Sequence, residues 1–415
     1  MRLSRFGLRF TEDSAILRLM DDIGEAAASG GKMLLLGGGN PARIPEVEAR
    51  FHRHMVRLAE GGELDDLVGT YDAPQGHRLF REALADLLRQ RYGFPLKPSN
   101  IALTNGSQTS FFYLFNLIAG TAEDGRKRKI LFPLSPEYIG YADIGIEPDL
   151  LTTSKPEIEL LEPDLFKYRV DFDRLTVSES EHAAICVSRP TNPTSNVLTV
   201  EELERLRGLA AENGIPLLLD NAYGAPFPNI LFVDAEPVWD ENVILTMSLS
   251  KLGLPGARTG IVIASEPVVR AVSRLNAVVS LAPSSFGASV ALDLVRTGEI
   301  LDLSRDVIRP FYERKSAQAL SWLRHHLKGV DYRVHKPEGT FFFWLWFPGL
   351  PITSDELYER LKARGVLVVP GRYFFPGLVE SWRHRDECLR LNYSQADAVV
   401  EKGIEILGEE LRRLL

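Results

Sequence analysis

Lys251, Asp220, Tyr223 and Asn192 are the side chains of this sequence best suited to covalent and acid–base chemistry. Each follows closely on a short apolar run. Lys251 closes Ser248-Leu249-Ser250-Lys251, Asp220 opens Asp220-Asn221-Ala222-Tyr223, and Asn192 lies in Ser188-Arg189-Pro190-Thr191-Asn192-Pro193. A lysine amine condenses with an aldehyde to form an imine and, once released, carries protons. An aspartate at a strand end can hold the proton of a pyridine-like nitrogen and so make that ring an electron sink. Asn192 and Tyr223 can hydrogen-bond a phenolic ring oxygen, and Tyr138, after Pro136-Glu137, can stack on a ring face. Asn105-Gly106-Ser107-Gln108 precedes a helix, where backbone N–H groups and the positive dipole end suit a phosphate. Ser248, Ser250 and Arg258 can add two hydroxyls and a guanidinium to the same anion.

Every one of these residues has an ordinary reading alone. A lysine after a strand is commonly solvated, a strand-end aspartate caps a helix, and Asn-Pro marks a turn. What sets those readings aside is shared location, because five consecutive strand ends carry polar, ionisable or aromatic groups. Together they are the parts of a pyridoxal 5′-phosphate site.

The elements that must hold these groups follow from hydrophobic periodicity. Apolar runs at Ile101–Thr104, Lys129–Phe132, Ala184–Val187, Pro216–Leu219, Val243–Thr246 and Gly260–Ala264 alternate with amphipathic helices. That pattern predicts an α/β domain with a largely parallel sheet flanked by helices, whose ligands bind at the carboxyl ends of the strands. Helices are expected over Pro74–Tyr92 and Ser110–Ala119, and another between Thr199, with Glu202 completing a capping box, and Gly214. After about residue 300 the pattern changes. A strand at Phe341–Phe347, a helix from Ser354 to Gly365, a strand at Val366–Val369 and a helix at Ala396–Leu414 make a smaller α+β domain. The expected division is an N-terminal arm (1–45) packing with the small domain, a large cofactor-binding domain (46–300) and the small domain (301–415).

Composition narrows the classes. The chain has 415 residues, 45% hydrophobic and 25% charged, with a net charge of −8, and no basic face for nucleic acid is evident. Two cysteines suggest neither a disulfide framework nor a metal site, and a reducing cytoplasm is the expected compartment. The first twenty residues lack a secretory pattern, and the longest apolar run is too short for a membrane span. Gly37-Gly38-Gly39 is followed by Asn40-Pro41 and lacks the spacing of a dinucleotide loop.

The sequence resembles the fold-type I, class I/II aminotransferases in Tyr71 through Gly76, Thr104-Asn105-Gly106-Ser107-Gln108, Asn192-Pro193-Thr194, Asp220-Asn221-Ala222-Tyr223, Ser248-Leu249-Ser250-Lys251 with Gly256 and Arg258, and Arg390-Leu391-Asn392. The resemblance implies that Lys251 is the Schiff-base lysine, Asp220 the partner of the pyridine nitrogen, and Tyr223 and Asn192 contacts of the ring oxygen. Tyr138 would stack on the ring, and Gly106, Ser107, Gln108, Ser248, Ser250 and Arg258 would surround the phosphate. It further implies that Tyr71 reaches the phosphate of a neighbouring subunit in a homodimer, and that Arg390 grips the substrate α-carboxylate through a bidentate fork. Leu36–Ala42, Phe111–Leu117, Pro136–Tyr141, Val369-Pro370-Gly371 and Phe374–Gly377 narrow the resemblance to members that exchange the amino group between valine and pyruvate. Ser195 departs from the family, which has glycine there; serine is disfavoured if that backbone takes a positive φ.

The expected reaction is ping-pong transfer between small neutral amino acids and 2-oxo acids, with valine and pyruvate giving 3-methyl-2-oxobutanoate and alanine. No motif designates the second cation a dicarboxylate would need. Ile16, Tyr71 and the Gly37–Gly39 turn, through Gly39, are the expected wall of the side-chain pocket. Alternatives are an aminotransferase of the class with other substrates, a pyridoxal-phosphate lyase or synthase on the same scaffold, and a non-catalytic ligand sensor.

Overall fold

The computed structural model describes residues 1–11, 15–28 and 33–414. Its central sheet has eight strands. Ile101–Thr104 (β1), Lys127–Phe132 (β2), His182–Ser188 (β3), Leu217–Asp220 (β4), Val243–Ser248 (β5) and Gly260–Ile263 (β6) run across it in the order β1-β6-β5-β4-β3-β2. Two short strands, Gly120–Thr121 and Leu151–Thr153, pair with β2. Strands β2 to β5 are parallel neighbours, and every residue of β3 and β5 is buried, as helices on both faces require. Their shared direction brings Ser188, Asp220 and Thr246 into register at one end of the sheet.

Strand β6 departs from its neighbours. It runs antiparallel to both β5 and β1, with Ser248 opposite Gly260. The link between β5 and β6 contains no crossover helix, and a parallel return needs one. The first helix of the site also differs from its expected start at Ser110. It spans Ser107–Ile118 and begins directly at Gly106, whose φ of 90° turns the chain from β1 into the helix. In the other direction, the helix expected from Pro74 begins at Arg78, because Pro74–His77 forms a turn in which Gly76 packs on Leu103. The Thr199–Glu202 capping box forms as its spacing predicts, and the helix Val200–Glu212 stops before Gly214.

A second, six-stranded sheet runs in the order Val369–Pro370, Cys388–Asn392, Phe342–Trp346, Arg333–His335, Leu165–Arg169, Glu157–Leu161. The hairpin Glu157–Arg169, from within residues 46–300, thus joins strands from the C-terminal segment. The expected strand Val366–Val369 divides: Val366–Leu367 pairs with Leu34–Leu35 of the arm, while Val369–Pro370 pairs with Cys388–Asn392. The arm helix Ala15–Ala28 is tied to the same segment through Asp22. Its carboxylate accepts hydrogen bonds from the Tyr358 hydroxyl and, at 2.7 Å, from the Lys362 amine. Among the described residues, no helix is long and apolar enough to cross a membrane.

Candidate active site

The carboxyl ends of the parallel strands face a cavity of about 190 Å³. Into it converge Ser107, Gln108, Tyr138, Asn192, Asp220, Tyr223, Ser248, Ser250, Lys251, Arg258, Arg390 and Gly39. Among the lining residues that the sequence did not assign to the site are three from the arm. Leu19, Met20 and Ile23 lie on one face of the arm helix and form an apolar wall. Their i, i+1, i+4 spacing was the available signal. The side chain of Ile16, on the same helix, lies outside the described residues. Tyr71 is 80% exposed and does not line this cavity within the chain; it faces a separate cleft with Asp72 and Ser285.

Lys251 follows β5, and its amine donates to the Gly39 carbonyl at 2.6 Å. Gly39 therefore meets the lysine directly. Burial, together with the positive charges of Arg390 and Arg258, lowers the Lys251 pKa to about 8, against the opposing pull of Asp220. Near neutral pH the amine thus has a substantial uncharged, nucleophilic fraction. The rings of Tyr223 and Phe341 lie beside it, with centroids 5.4 and 5.7 Å from the nitrogen.

Asp220 ends β4. Its Oδ2 accepts from the Tyr141 hydroxyl at 2.6 Å and its Oδ1 from the Ala222 amide at 3.0 Å. Burial raises its pKa, opposed by these hydrogen bonds and by the charge of Lys251. Tyr141 is fully buried and was named in the sequence only as part of a motif. Glu137 is another buried partner of the site. Ser188 donates to it from its amide at 2.9 Å and from its hydroxyl at 2.6 Å, and burial pushes its pKa up to about 8. Next to it, Gly140 lets the Tyr138 ring lie flat, because a Cβ there would come within 2.4 Å of that ring.

The same cavity holds an anion cradle. The first amides of a helix have no carbonyl one turn earlier to accept their protons. Among the described residues, the amides of Ser107 and Gln108 and the hydroxyls of Ser107 and Ser250 have no hydrogen-bond partner. The Gln108 side chain turns away and donates to the Gly140 carbonyl at 2.8 Å. The Ser248 hydroxyl is engaged by the Ser250 amide at 3.1 Å. The guanidinium of Arg258 lies over Gly106, where a Cβ would stand 2.1 Å from Nη2. Glycine is thus required at 106 for its φ, and any side chain there would displace the guanidinium.

Arg390, on strand Cys388–Asn392, crosses to the same cavity. One nitrogen donates to Asn192 Oδ1 at 2.8 Å and another to the Gly37 carbonyl at 2.6 Å. Its Nε is buried without a partner, and among the described residues no carboxylate pairs with it. Phe342 and Phe374 hold the guanidinium 4.3 and 5.0 Å from their centroids. Burial lowers its pKa to about 10. An uncompensated buried cation of this kind is costly unless a ligand anion completes it. The Asn192 turn is also defined: Ser195, where glycine is usual, takes a φ of 65° and is fully buried.

The family model for aminotransferase class I and II matches residues 56–407. The chain belongs to the class I and II aminotransferases. It is 50% identical over 413 residues to the valine–pyruvate aminotransferase of Escherichia coli, covering 100% of this chain and 99% of that protein. The crystal structure of valine–pyruvate aminotransferase from Salmonella typhimurium superposes with a TM-score of 0.89 at 49% identity, covering 96% and 99% of the two chains. Aspartate aminotransferase from Thermus thermophilus, at 23% identity and a TM-score of 0.78 over 99% and 100% of the chains, shares the fold.

The protein is therefore a fold-type I enzyme that transfers an amino group between amino acids and 2-oxo acids with pyridoxal 5′-phosphate. The residues fit that cofactor. Unpaired amides and hydroxyls beside Arg258 form a cradle for a doubly charged phosphate. Asp220 lines the same cavity, and among the described residues no carboxylate is hydrogen-bonded to the Lys251 amine that a cofactor would have to displace.

Proposed function

We propose that the chain exchanges the amino group between valine and pyruvate, giving 3-methyl-2-oxobutanoate and alanine. The observation that carries this reading is the distribution of charge in the cavity. Among the described residues its cations are Lys251, Arg258 and Arg390, which leaves none of the described lining for a distal carboxylate, and Leu19, Met20 and Ile23 supply an apolar wall. The near-end-to-end identity with the Escherichia coli enzyme supports the same substrates.

When bound, the cofactor supplies an aldehyde carbon for the amino group and a protonated ring that accepts electron density. In this reading Lys251 holds the aldehyde carbon and, when released, moves the proton at the substrate Cα. Asp220 keeps the ring nitrogen protonated, with Tyr141 fixing its carboxylate. Asn192 and Tyr223 contact the ring oxygen, and Tyr138 packs on the ring face. The amides and hydroxyls around Gly106, with Ser250 and Arg258, bind the phosphate, while the Ser248 hydroxyl holds the Ser250 amide. Arg390 grips the α-carboxylate beside Asn192, and the two anchors orient the Cα–H bond. The apolar wall receives the isopropyl group and excludes water.

A homodimer is part of the proposal. Val68, Tyr71, Val278, Val279 and Leu281 are more than half exposed. The loop after Leu281 hydrogen-bonds to Asn105 beside the phosphate cradle and to Asp72 beside Tyr71. A partner seated there would bring its own Tyr71 towards this chain's cradle. Two buried, free cysteines agree with a cytoplasmic setting.

Purified, cofactor-loaded protein should be given single amino acids while its visible absorbance is followed. Valine and alanine are expected to bleach the band and form the pyridoxamine form. Far faster conversion of aspartate or glutamate would defeat the substrate reading, and release of pyruvate with ammonia without an acceptor would point to a lyase.

A further inference from the structure

Ser195 and Thr340 are both fully buried, and both hold a positive φ, 65° and 58°. Neither is glycine, the residue for which that backbone is unstrained. Their hydroxyls meet at 2.6 Å across 145 positions of sequence. The protons can be assigned without conflict. Ser195 Oγ donates to the Phe342 carbonyl at 2.7 Å, so the proton between the two hydroxyls is that of Thr340. Thr340 Oγ1 in turn accepts from the Phe342 amide at 3.2 Å. Each hydroxyl donates once and accepts once.

This junction joins two parts of the site. On one side the Ser195 amide donates to Thr191 at 2.8 Å and closes the turn that carries Asn192. On the other side Thr340 leads into Phe341, beside the Lys251 amine, and Phe342 pairs with the strand that carries Arg390. The geometry points to a positioning role. The Ser195–Thr340 hydroxyl pair clamps the Asn192 turn to the strand pair bearing Arg390, and so sets the separation at which Asn192 and Arg390 together receive the substrate carboxylate. The strained backbone is tolerated because the side chains that cause the strain also form the clamp. This inference rests on the reading of Asn192 and Arg390 as the carboxylate anchors.

The test compares Ser195→Ala, Ser195→Gly and Thr340→Ser with the parent, all cofactor-loaded. KM and kcat for valine with pyruvate, or for alanine if valine proves unreactive in the parent, are measured together with Tm with and without added pyridoxal phosphate. Both Ser195 variants should raise KM for the amino donor about tenfold and change kcat less than threefold. Ser195→Gly should keep a higher Tm than Ser195→Ala, because glycine relieves the backbone while alanine does not. Thr340→Ser keeps the hydroxyl and should retain parental KM. A Ser195→Gly variant with parental KM and a Tm equal to or above the parent overturns the clamp, and that comparison stands even if Ser195→Ala does not fold. Arg390→Lys separates the two levels: if it leaves KM unchanged, the anchor reading fails, whatever the Ser195 variants do.

Discussion

The titration of Lys251 gives the most direct test of how this cavity prepares an amine. With a pKa of about 8 in place of 10.5, about a tenth of the amine is uncharged at pH 7, against about three in ten thousand for an ordinary lysine. That is an advantage of roughly 300-fold in nucleophile at neutral pH. The assay mixes cofactor-free protein with pyridoxal phosphate and follows the growth of visible absorbance from pH 6.5 to 10.5. The rate should climb about tenfold per pH unit and level off above pH 8. Stability supplies an independent reading. The folded pKa is depressed, so between pH 8 and 10.5 the unfolded chain binds more protons than the folded one, and the cost of the buried charge is lost as pH rises. Cofactor-free Lys251→Met should therefore melt above the parent at pH 7, with the gap closing towards pH 10.5. A capture rate still rising tenfold per unit at pH 10, or a stability gap that ignores pH, would refute the argument that burial beside Arg390 and Arg258 tunes this amine.

Tyr141→Phe removes a charge-assisted hydrogen bond from Asp220, worth about 1.5–3 kcal/mol, and should move the acid limb of the kcat/KM profile up by about one to two pH units; a limb in its original place would show that Tyr141 does not act on the carboxylate. Glu137 is raised from 4.5 to about 8, so across that window the folded protein holds a proton the unfolded chain has released, and stability falls as pH rises. Glu137→Gln should flatten the slope of Tm against pH between those values. Arg390→Lys loses the second donor of a planar fork and should raise KM for the amino donor about 10- to 100-fold while the visible band of bound cofactor persists.

The parts of the fold legible in the sequence were those fixed by local rules. Runs of buried aliphatics marked β1 to β5, and the Thr199–Glu202 spacing marked a helix start before any tertiary contact was needed. Strand β6 was legible as a strand but its direction was not, since direction depends on the form of the connection between Ser248 and Gly260. The hairpin Glu157–Arg169 escaped notice for a related reason. Its first strand is an edge strand, half exposed and carrying glutamates, and pairs only with Leu165–Arg169, which is itself held in the sheet by Arg333–His335, far along the chain.

The site divides along the same line. Lys251, Asp220, Asn192 and the Gly106 turn could be found because parallel strands bring their carboxyl ends together whatever the rest of the chain does. Their partners could not be found that way. Tyr141 reaches Asp220 across 79 positions, Arg390 reaches Asn192 across 198, and Gly39 reaches Lys251 across 212. No periodicity encodes these separations, because each contact joins elements whose relative placement is set by packing. Ser195 shows the boundary most clearly. The sequence raised the right question, whether that backbone takes a positive φ, but a serine there makes sense only once Thr340 and Phe342 stand opposite it. The reacting groups are thus a property of one sheet, whereas the distance between the anchors for the substrate is a property of the seam between two, and variants of seam residues should alter substrate affinity before they alter the bond-making step.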